Sequence, residues 1–321
     1  EEVVWLFEKK ALDYLQSSSY DEAIRYFKIA LERSLTISTI KQEEINNIKK
    51  SLKKAYFEKG SALLNQQKFD DAIAVFKKIL DFSVENSGKK SEETLESLNN
   101  LIKCYNQKGE YLAKRDRFED AINTIDKAIE ITNDMGTETE TVKFAKENIM
   151  KIQSLFAFNQ MKNGQYDSAI FTLKKILDMA LQVYGNDSKE YFESKSNLIK
   201  GYNIKGKILL EKTRYDDAIS TFEKSVELGK DEKGFFSGQV NDSIDGIIMA
   251  YFQKSCAYEE YGKYEEAIIN LEKALKIATK YQVNKIRISY VTDKLFLILK
   301  SEYESASKIH NSQKMKEVLD I

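Results

Sequence analysis

Aromatic, acidic and small residues recur along this chain at a nearly constant interval. An aromatic residue, an acidic residue, any residue, alanine and isoleucine follow one another six times. The aromatic residues of these motifs are Tyr20, Phe69, Phe118, Tyr166, Tyr215 and Tyr264. Successive aromatic residues are 49, 49, 48, 49 and 49 positions apart. This regularity predicts an internal repeat, which has to be identified first because it determines the fold.

Each copy places small and bulky apolar positions at helical spacing. A small residue stands nine positions before the aromatic residue, and the motif alanine stands three positions after it. Bulky apolar residues follow the alanine by four and eight positions, which puts them on one helix face. We expect the small residues and the motif alanines to let two helices approach closely. They are Ala11, Gly60, Gly109, Ala157, Gly206 and Ser255, and Ala23, Ala72, Ala121, Ala169, Ala218 and Ala267.

The period predicts two helices per copy, a first of about 20–25 residues and a second of about 15–20 residues. Proline, the main helix-breaking residue, is absent from the 321 residues. We therefore predict an all-α, right-handed superhelical solenoid that forms a single domain over residues 1–321. Its six long helix–turn–helix units should cover residues 1–38, 41–86, 91–134, 138–185, 188–232 and 239–282, with a truncated seventh at 284–321.

The ends of the chain and one loop carry further expectations. Met315 to Leu319 resembles a degenerate copy of the motif, and the sequence opens with Glu1 rather than methionine. We therefore expect the chain to be a segment of a longer protein. The irregular stretch from Lys233 to Gly238 contains two aromatic residues, and a packed loop is the favoured interpretation over a binding loop.

The combination of small residue, aromatic residue and acidic–x–alanine resembles the tetratricopeptide repeat, whose ordinary unit has about 34 residues. The stretches Ser91–Leu101 and Tyr184–Ser188 are also similar to the long repeats of the kinesin light chain group. This chain lacks the proline usual near the end of the second helix and the His-Pro pair of the light-chain loops. Where the family often has leucine before the small residue, it has lysine, at Lys10, Lys59, Lys108, Lys205 and Lys254.

The resemblance implies a concave groove, lined by the first helices, that binds a partner peptide. The positions six and three residues before the small residue should face this groove. Four of them are lysines and two are asparagines, which could hold a peptide backbone by donating and accepting hydrogen bonds. We predict an acidic peptide partner, against the alternative of a solvated helix face. The candidate groove residues are Trp5, Lys54, Phe57, Lys103, Asn106, Lys151, Lys200, Asn203, Met249 and Phe252.

Composition and motifs argue against several other functions. The net charge of −1 lacks the basic excess of a general nucleic-acid binder, and no apolar run is long enough to cross a membrane. Cys104 and Cys256 follow no metal or disulfide spacing, which favours a reducing compartment such as the cytoplasm. The single histidine, His310, has no catalytic partners at a motif spacing. We expect no enzymatic activity, no cofactor and no metal. The lysine, asparagine and arginine set of the family's carboxylate clamp is not matched either.

Three functions are therefore compatible with the sequence. The favoured one is a scaffold or adaptor that captures a partner peptide. The second is a structural building block of a large cytoskeletal or ciliary assembly. The third is a regulatory segment of a longer enzyme or receptor.

Overall fold

The computed structural model describes residues 2–136, 140–230 and 240–308, with side chains as far as 304. The described chain is all-helical and contains no β-strand in these ranges. Its helices are α1 (Glu2–Gln16), α2 (Tyr20–Thr36), α3 (Gln42–Asn65), α4 (Phe69–Ser87), α5 (Glu92–Ala113), α6 (Phe118–Met135), α7 (Glu140–Lys162), α8 (Tyr166–Tyr184), α9 (Lys189–Glu211), α10 (Tyr215–Leu228), α11 (Asn241–Glu260), α12 (Tyr264–Lys280) and α13 (Lys285–Lys308). The prediction of an all-α fold is confirmed.

The helices pair in step with the sequence motif. Every even-numbered helix from α2 to α12 begins at the motif aromatic residue. The first helices α3, α5, α7, α9, α11 and α13 have 20–24 residues, as the period predicts. The second helices have 14–19 residues, and α10, with 14, is one residue shorter than expected. The lengthened repeat is therefore two long helices rather than an ordinary repeat with an added loop.

A left-handed residue ends each first helix inside a repeat. The residue two positions before the motif aromatic residue has a positive φ in all six copies, between 55° and 75°. In the second copy the amide of Lys68 donates to the carbonyl of Leu63 and that of Gln67 to Leu64, which is the pattern of a Schellman turn. This hook fixes where the second helix starts. Glycine fills the position in two copies only, so the signal is weak in sequence.

Small residues allow the closest approach between helices, above all around Phe222 of α10. This ring is fully buried. A Cβ added at Gly206 of α9 would lie 2.5 Å from its Cε1 and Cζ atoms, and one added at Gly246 of α11 would lie 2.5 Å from Cζ. The ring therefore occupies a slot between two first helices, and only glycine at both positions leaves room for it.

Serine side chains begin two of the first helices. The Ser91 hydroxyl accepts a hydrogen bond from the amide of Thr94 at 3.2 Å, and that of Ser188 from Tyr191 at 3.1 Å. Each satisfies an amide that has no partner within its own helix. Glu92 and Glu93 follow Ser91 in the first turn of α5, where carboxylates stabilise the positive end of the helix dipole.

Neighbouring repeats are joined by a recurring ion pair. The lysine before the small residue contacts the motif aspartate 38 residues earlier, which belongs to the preceding repeat. Nζ of Lys108 lies 2.6 Å from Oδ1 of Asp70, and Nζ of Lys254 lies 2.6 Å from Oδ1 of Asp216. The same contact joins Lys59 with Asp21 and Lys205 with Asp167. These four lysines, which depart from the family pattern, therefore link neighbouring repeats.

Contacts divide the chain into two compact units, one up to Gln153 and one from Ser154, and the division falls within α7. The prediction of one continuous superhelical domain with the stated unit boundaries stays a prediction. Three expectations fall outside the described residues: the degenerate motif from Met315 to Leu319, His310, and the loop from Lys233 to Gly238.

Candidate functional site

The position six residues before the small residue is exposed on every first helix from α1 to α11. It carries Trp5, Lys54, Lys103, Lys151, Lys200 and Met249. Trp5 is 60% exposed, and the ammonium of Lys9 lies 5.1 Å from its ring. Among the described residues, none of the four lysines forms an ion pair, whereas the lysines before the small residue are mostly paired. Each first helix from α3 to α9 therefore presents an unpaired positive charge at this position.

The position three residues before the small residue is not uniformly accessible. Phe57 is 42% exposed and Phe252 is half-buried, but Asn106 and Asn203 are only 2% and 6% exposed. The two asparagines were expected to hold a peptide backbone. Their amides are buried rather than open to solvent, and that of Asn203 contacts Ser243 of the next repeat, so we leave both asparagines out of the binding surface.

The two buried asparagines differ in their hydrogen bonds. Oδ1 of Asn203 accepts from the Ser243 hydroxyl at 2.6 Å, and the Ser225 hydroxyl lies 2.7 Å from that of Ser243. At the equivalent positions in the third and fourth repeats stand Ala128 and Ala145. Neither polar side-chain atom of Asn106 has a hydrogen-bond partner among the described residues. Repeat register thus explains why one asparagine is satisfied and the other is not.

The first unit contains a cleft between the exposed faces of α3 and α5. Its volume is about 890 Å³, within the range of sites that bind small molecules or peptide side chains. Lys54 and Phe57, both candidate groove residues, lie on the α3 side. The residues that line it are Lys50, Lys53, Lys54, Phe57, Ile79, Ser87, Ser91, Glu92, Glu93, Glu96 and Asn100.

One ion-pair network crosses this cleft. Nζ of Lys53 lies 3.2 Å from Oε1 of Glu93 and 3.7 Å from Oε2 of Glu96. The Ser87 hydroxyl donates to Oε2 of Glu93 at 2.7 Å. The hydrogen bond from Ser87, followed by Lys53, lowers the pKa of Glu93 below its ordinary value. Glu93 is therefore a fixed negative charge that ties α5 to α3.

Sequence reasoning missed the charged residues that flank this network. Lys50 lies one helical turn before Lys54, and Glu92 lies one turn before Glu96. The opposite charges are visible in the sequence, but at different positions of the two repeats, since Lys54 stands six residues before Gly60 and Glu96 thirteen residues before Gly109. Their juxtaposition could be read only once the offset between α3 and α5 was known.

The second unit contains an aromatic patch between α11 and α13. The rings of Phe252 and Tyr290 are 4.7 Å apart, and Met249 lies one turn before Phe252 on the same helix face. Nη1 of Arg287 and Oδ1 of Asp245 are 2.5 Å apart beside this patch. Met249 and Tyr290 are 41% and 58% exposed, so the patch offers apolar surface to a partner.

Within the described residues, no cluster of histidine, cysteine, aspartate or glutamate could hold a metal ion, and no helix has the length and apolar character that a membrane crossing requires. Both cysteines are free. Burial raises the pKa of the Cys104 thiol to about 12 and also raises that of Cys256. Both thiols are thus protonated near neutral pH and poor nucleophiles.

Comparisons with known sequences agree with the helix pairing. Two family profiles described as tetratricopeptide repeat match the chain, one over residues 8–86 and the other over residues 102–135, 199–231 and 250–281. Together they cover more than half of the sequence. A search of curated proteins finds no match.

A search of solved structures finds matches to this chain that include the following three. BtubC (BKLC) from P. vanneervenii is 12% identical at a TM-score of 0.24, with 83% of this chain and 93% of that one covered. Nearly identical repeats of a putative kinesin light chain from Podospora anserina are 15% identical at a TM-score of 0.23, covering 72% and 97%. The TPR2AB-domain:pHSP90 complex of yeast Sti1 is 12% identical at a TM-score of 0.25, with 92% of this chain and 98% of that one covered. Similarity this low distinguishes no subgroup.

Proposed function

Because the chain belongs to the tetratricopeptide-repeat family, we propose that it is a non-enzymatic scaffold that binds partner proteins through the exposed face of its first helices. The observation that carries this proposal is the set of uncommitted lysines, Lys54, Lys103, Lys151 and Lys200. A lysine without a protein partner on an ordered helix is available for a carboxylate of another chain.

Apolar anchors accompany these charges in both units. Phe57 in the first unit and the Phe252–Tyr290 patch in the second keep aromatic surface accessible beside charged residues. Buried aromatic anchors surrounded by polar contacts supply most of the binding energy in protein interfaces. This combination supports recognition of a peptide segment that carries acidic and apolar side chains. The free thiols are compatible with the reducing cytoplasm, where we place the protein.

The test starts from peptides selected from a random 12-residue phage library on the whole chain, whose dissociation constants are then measured by fluorescence anisotropy. Lys103→Glu in the first unit and Lys200→Glu in the second are compared singly with the unmodified protein. Each reversal should weaken peptides bound to its unit by about tenfold, which corresponds to about 1.4 kcal/mol. The loss should shrink as salt is raised, because exposed charges are screened.

Lys77→Glu and Lys174→Glu provide matched controls. Both lysines are exposed, lie on the second helices α4 and α8, and stand 97 residues apart, as Lys103 and Lys200 do. They should leave the dissociation constants unchanged. Failure to select any peptide, or equal losses in the control variants, would remove the first-helix face as the binding surface.

A further inference from the structure

The cleft between α3 and α5 has walls of opposite charge. Lys50 and Lys54 are exposed on the α3 wall, and Glu92 and Glu96 are exposed on the α5 wall. Within each pair the two residues are four positions apart, about 6 Å along the helix axis. The cleft therefore presents two cations on one side and two anions at the same spacing on the other.

These charges do not neutralise each other across the cleft. Among the described residues, neither Lys50 nor Lys54 has a carboxylate within 4.0 Å, and Glu92 has no cation within that distance. In the described part of the chain the ion pairs between the walls are those of Lys53, with Glu93 at 3.2 Å and Glu96 at 3.7 Å, while Lys50 acts on Glu93 from beyond ion-pair distance. An occupant between the walls could pair with both sets without breaking the bond between Lys53 and Glu93.

The apolar part of the cleft is held in place from below. The Phe57 ring packs edge-to-face on Phe76, with ring centres 6.0 Å apart, and Ile79 is 2% exposed. Edge-to-face pairs of this kind fix the ring orientation. A partner side chain would thus meet a preformed apolar surface, and little conformational entropy would be lost on binding.

We propose that this cleft binds a peptide segment with charges of both signs: acidic residues toward α3, basic residues toward α5, and an apolar side chain over Phe57. The inference rests on the scaffold function proposed above and makes its ligand specific. A purely acidic segment would face Glu92 and Glu96, and a purely basic one would face Lys50 and Lys54. An uncharged apolar segment would desolvate all four charges without pairing them.

The deciding experiment compares Lys54→Glu with Glu96→Lys in the whole chain. Peptides from the phage selection that bind to the first unit are grouped by the signs of their charges, and their dissociation constants are measured at low and high salt. If the ligand carries both signs, each reversal weakens binding about tenfold. If the ligand is purely acidic, Glu96→Lys strengthens binding while Lys54→Glu weakens it, and the proposal is overturned.

Two controls separate this proposal from the general function. Lys77→Glu and Glu130→Lys reverse exposed charges on the second helices α4 and α6, away from the cleft, and should leave affinity unchanged. Selection of acidic peptides alone would retain the scaffold function and overturn the two-sign cleft. Selection of no peptide at all would overturn both.

Discussion

The slot that holds Phe222 allows a sharp test of how the repeats pack. Gly206→Ala would place a methyl group 2.5 Å from two ring atoms of Phe222, well inside contact distance. The ring cannot move away from α9 because Gly246 of α11 approaches it equally closely from the other side. The substitution must therefore distort the backbone or the side-chain rotamer.

The magnitude follows from two opposing effects. Overpacking a filled core costs about 1–3 kcal/mol, and glycine to alanine inside a helix returns about 1 kcal/mol. Because the ring is confined on both sides, the cost should lie near the upper end. We expect Gly206→Ala to lower the free energy of unfolding by about 2 kcal/mol.

Gly201→Ala supplies a control in the same helix. Its new methyl group would lie 2.8 Å from Cδ1 of Leu173 and 2.9 Å from Cε of Met161. Both atoms are the ends of flexible side chains, so small rotations relieve the contact. This variant should stay within about 1 kcal/mol of the unmodified protein, because the helix gain offsets the crowding.

The assay is urea unfolding followed by circular dichroism. Amide hydrogen exchange then localises the loss to α9–α11, since long repeat arrays need not unfold in one step. Adding Phe222→Leu to Gly206→Ala should restore part of the lost stability, because leucine is smaller than phenylalanine and leaves room for the new methyl group. Two other repeats already combine leucine at this position with a larger residue than glycine, namely Leu173 with Ala157 and Leu271 with Ser255. Equal stability of Gly206→Ala and Gly201→Ala, or additive effects in the double variant, would refute the close-packed slot.

Two further predictions concern the joints between repeats. Ser243→Ala removes the hydrogen-bond donor to the buried Asn203 and should lower the free energy of unfolding by about 1–2 kcal/mol, measured by urea unfolding. Ala145→Ser should offer Asn106 a hydrogen-bond partner and raise the free energy of unfolding by up to about 1 kcal/mol. A more stable Ser243→Ala variant or a less stable Ala145→Ser variant would contradict the register argument. In a double-mutant cycle of Lys254→Ala and Asp216→Ala, the coupling should be only about 0.5 kcal/mol and vanish in 1 M salt, because the aspartate is 78% exposed; coupling that survives high salt would mean a desolvated pair.

The sequence was sufficient for the helices because the motif combines two signals in one register. Aromatic residues such as Phe69 mark the start of each second helix, and small residues such as Gly206 lie where helices meet. Helix spacing is a local property of the chain, so both signals could be read without coordinates.

Contacts between repeats were harder to predict, because they depend on how far one first helix is offset from the next. In sequence, Lys254 was noted only as a departure from the family pattern. In four copies, however, an aspartate stands 38 residues before the equivalent lysine, and for Lys254 this aspartate is Asp216. Asn106 and Asn203 share a helix face with exposed residues, but both are buried, and Asn203 contacts Ser243 of the neighbouring repeat. Burial at a joint is a non-local property that one helix does not encode.

The recurring lysine–aspartate contact also makes the repeats interchangeable parts. A copy cut from one aromatic residue to just before the next, such as the 49 residues from Phe69 to Arg117, contains both partners of one contact, here Asp70 and Lys108. Duplicating or deleting such a cassette adds or removes one complete contact and leaves the others intact. Array length, and with it the number of clefts between first helices, can therefore change in whole steps without redesign of a joint.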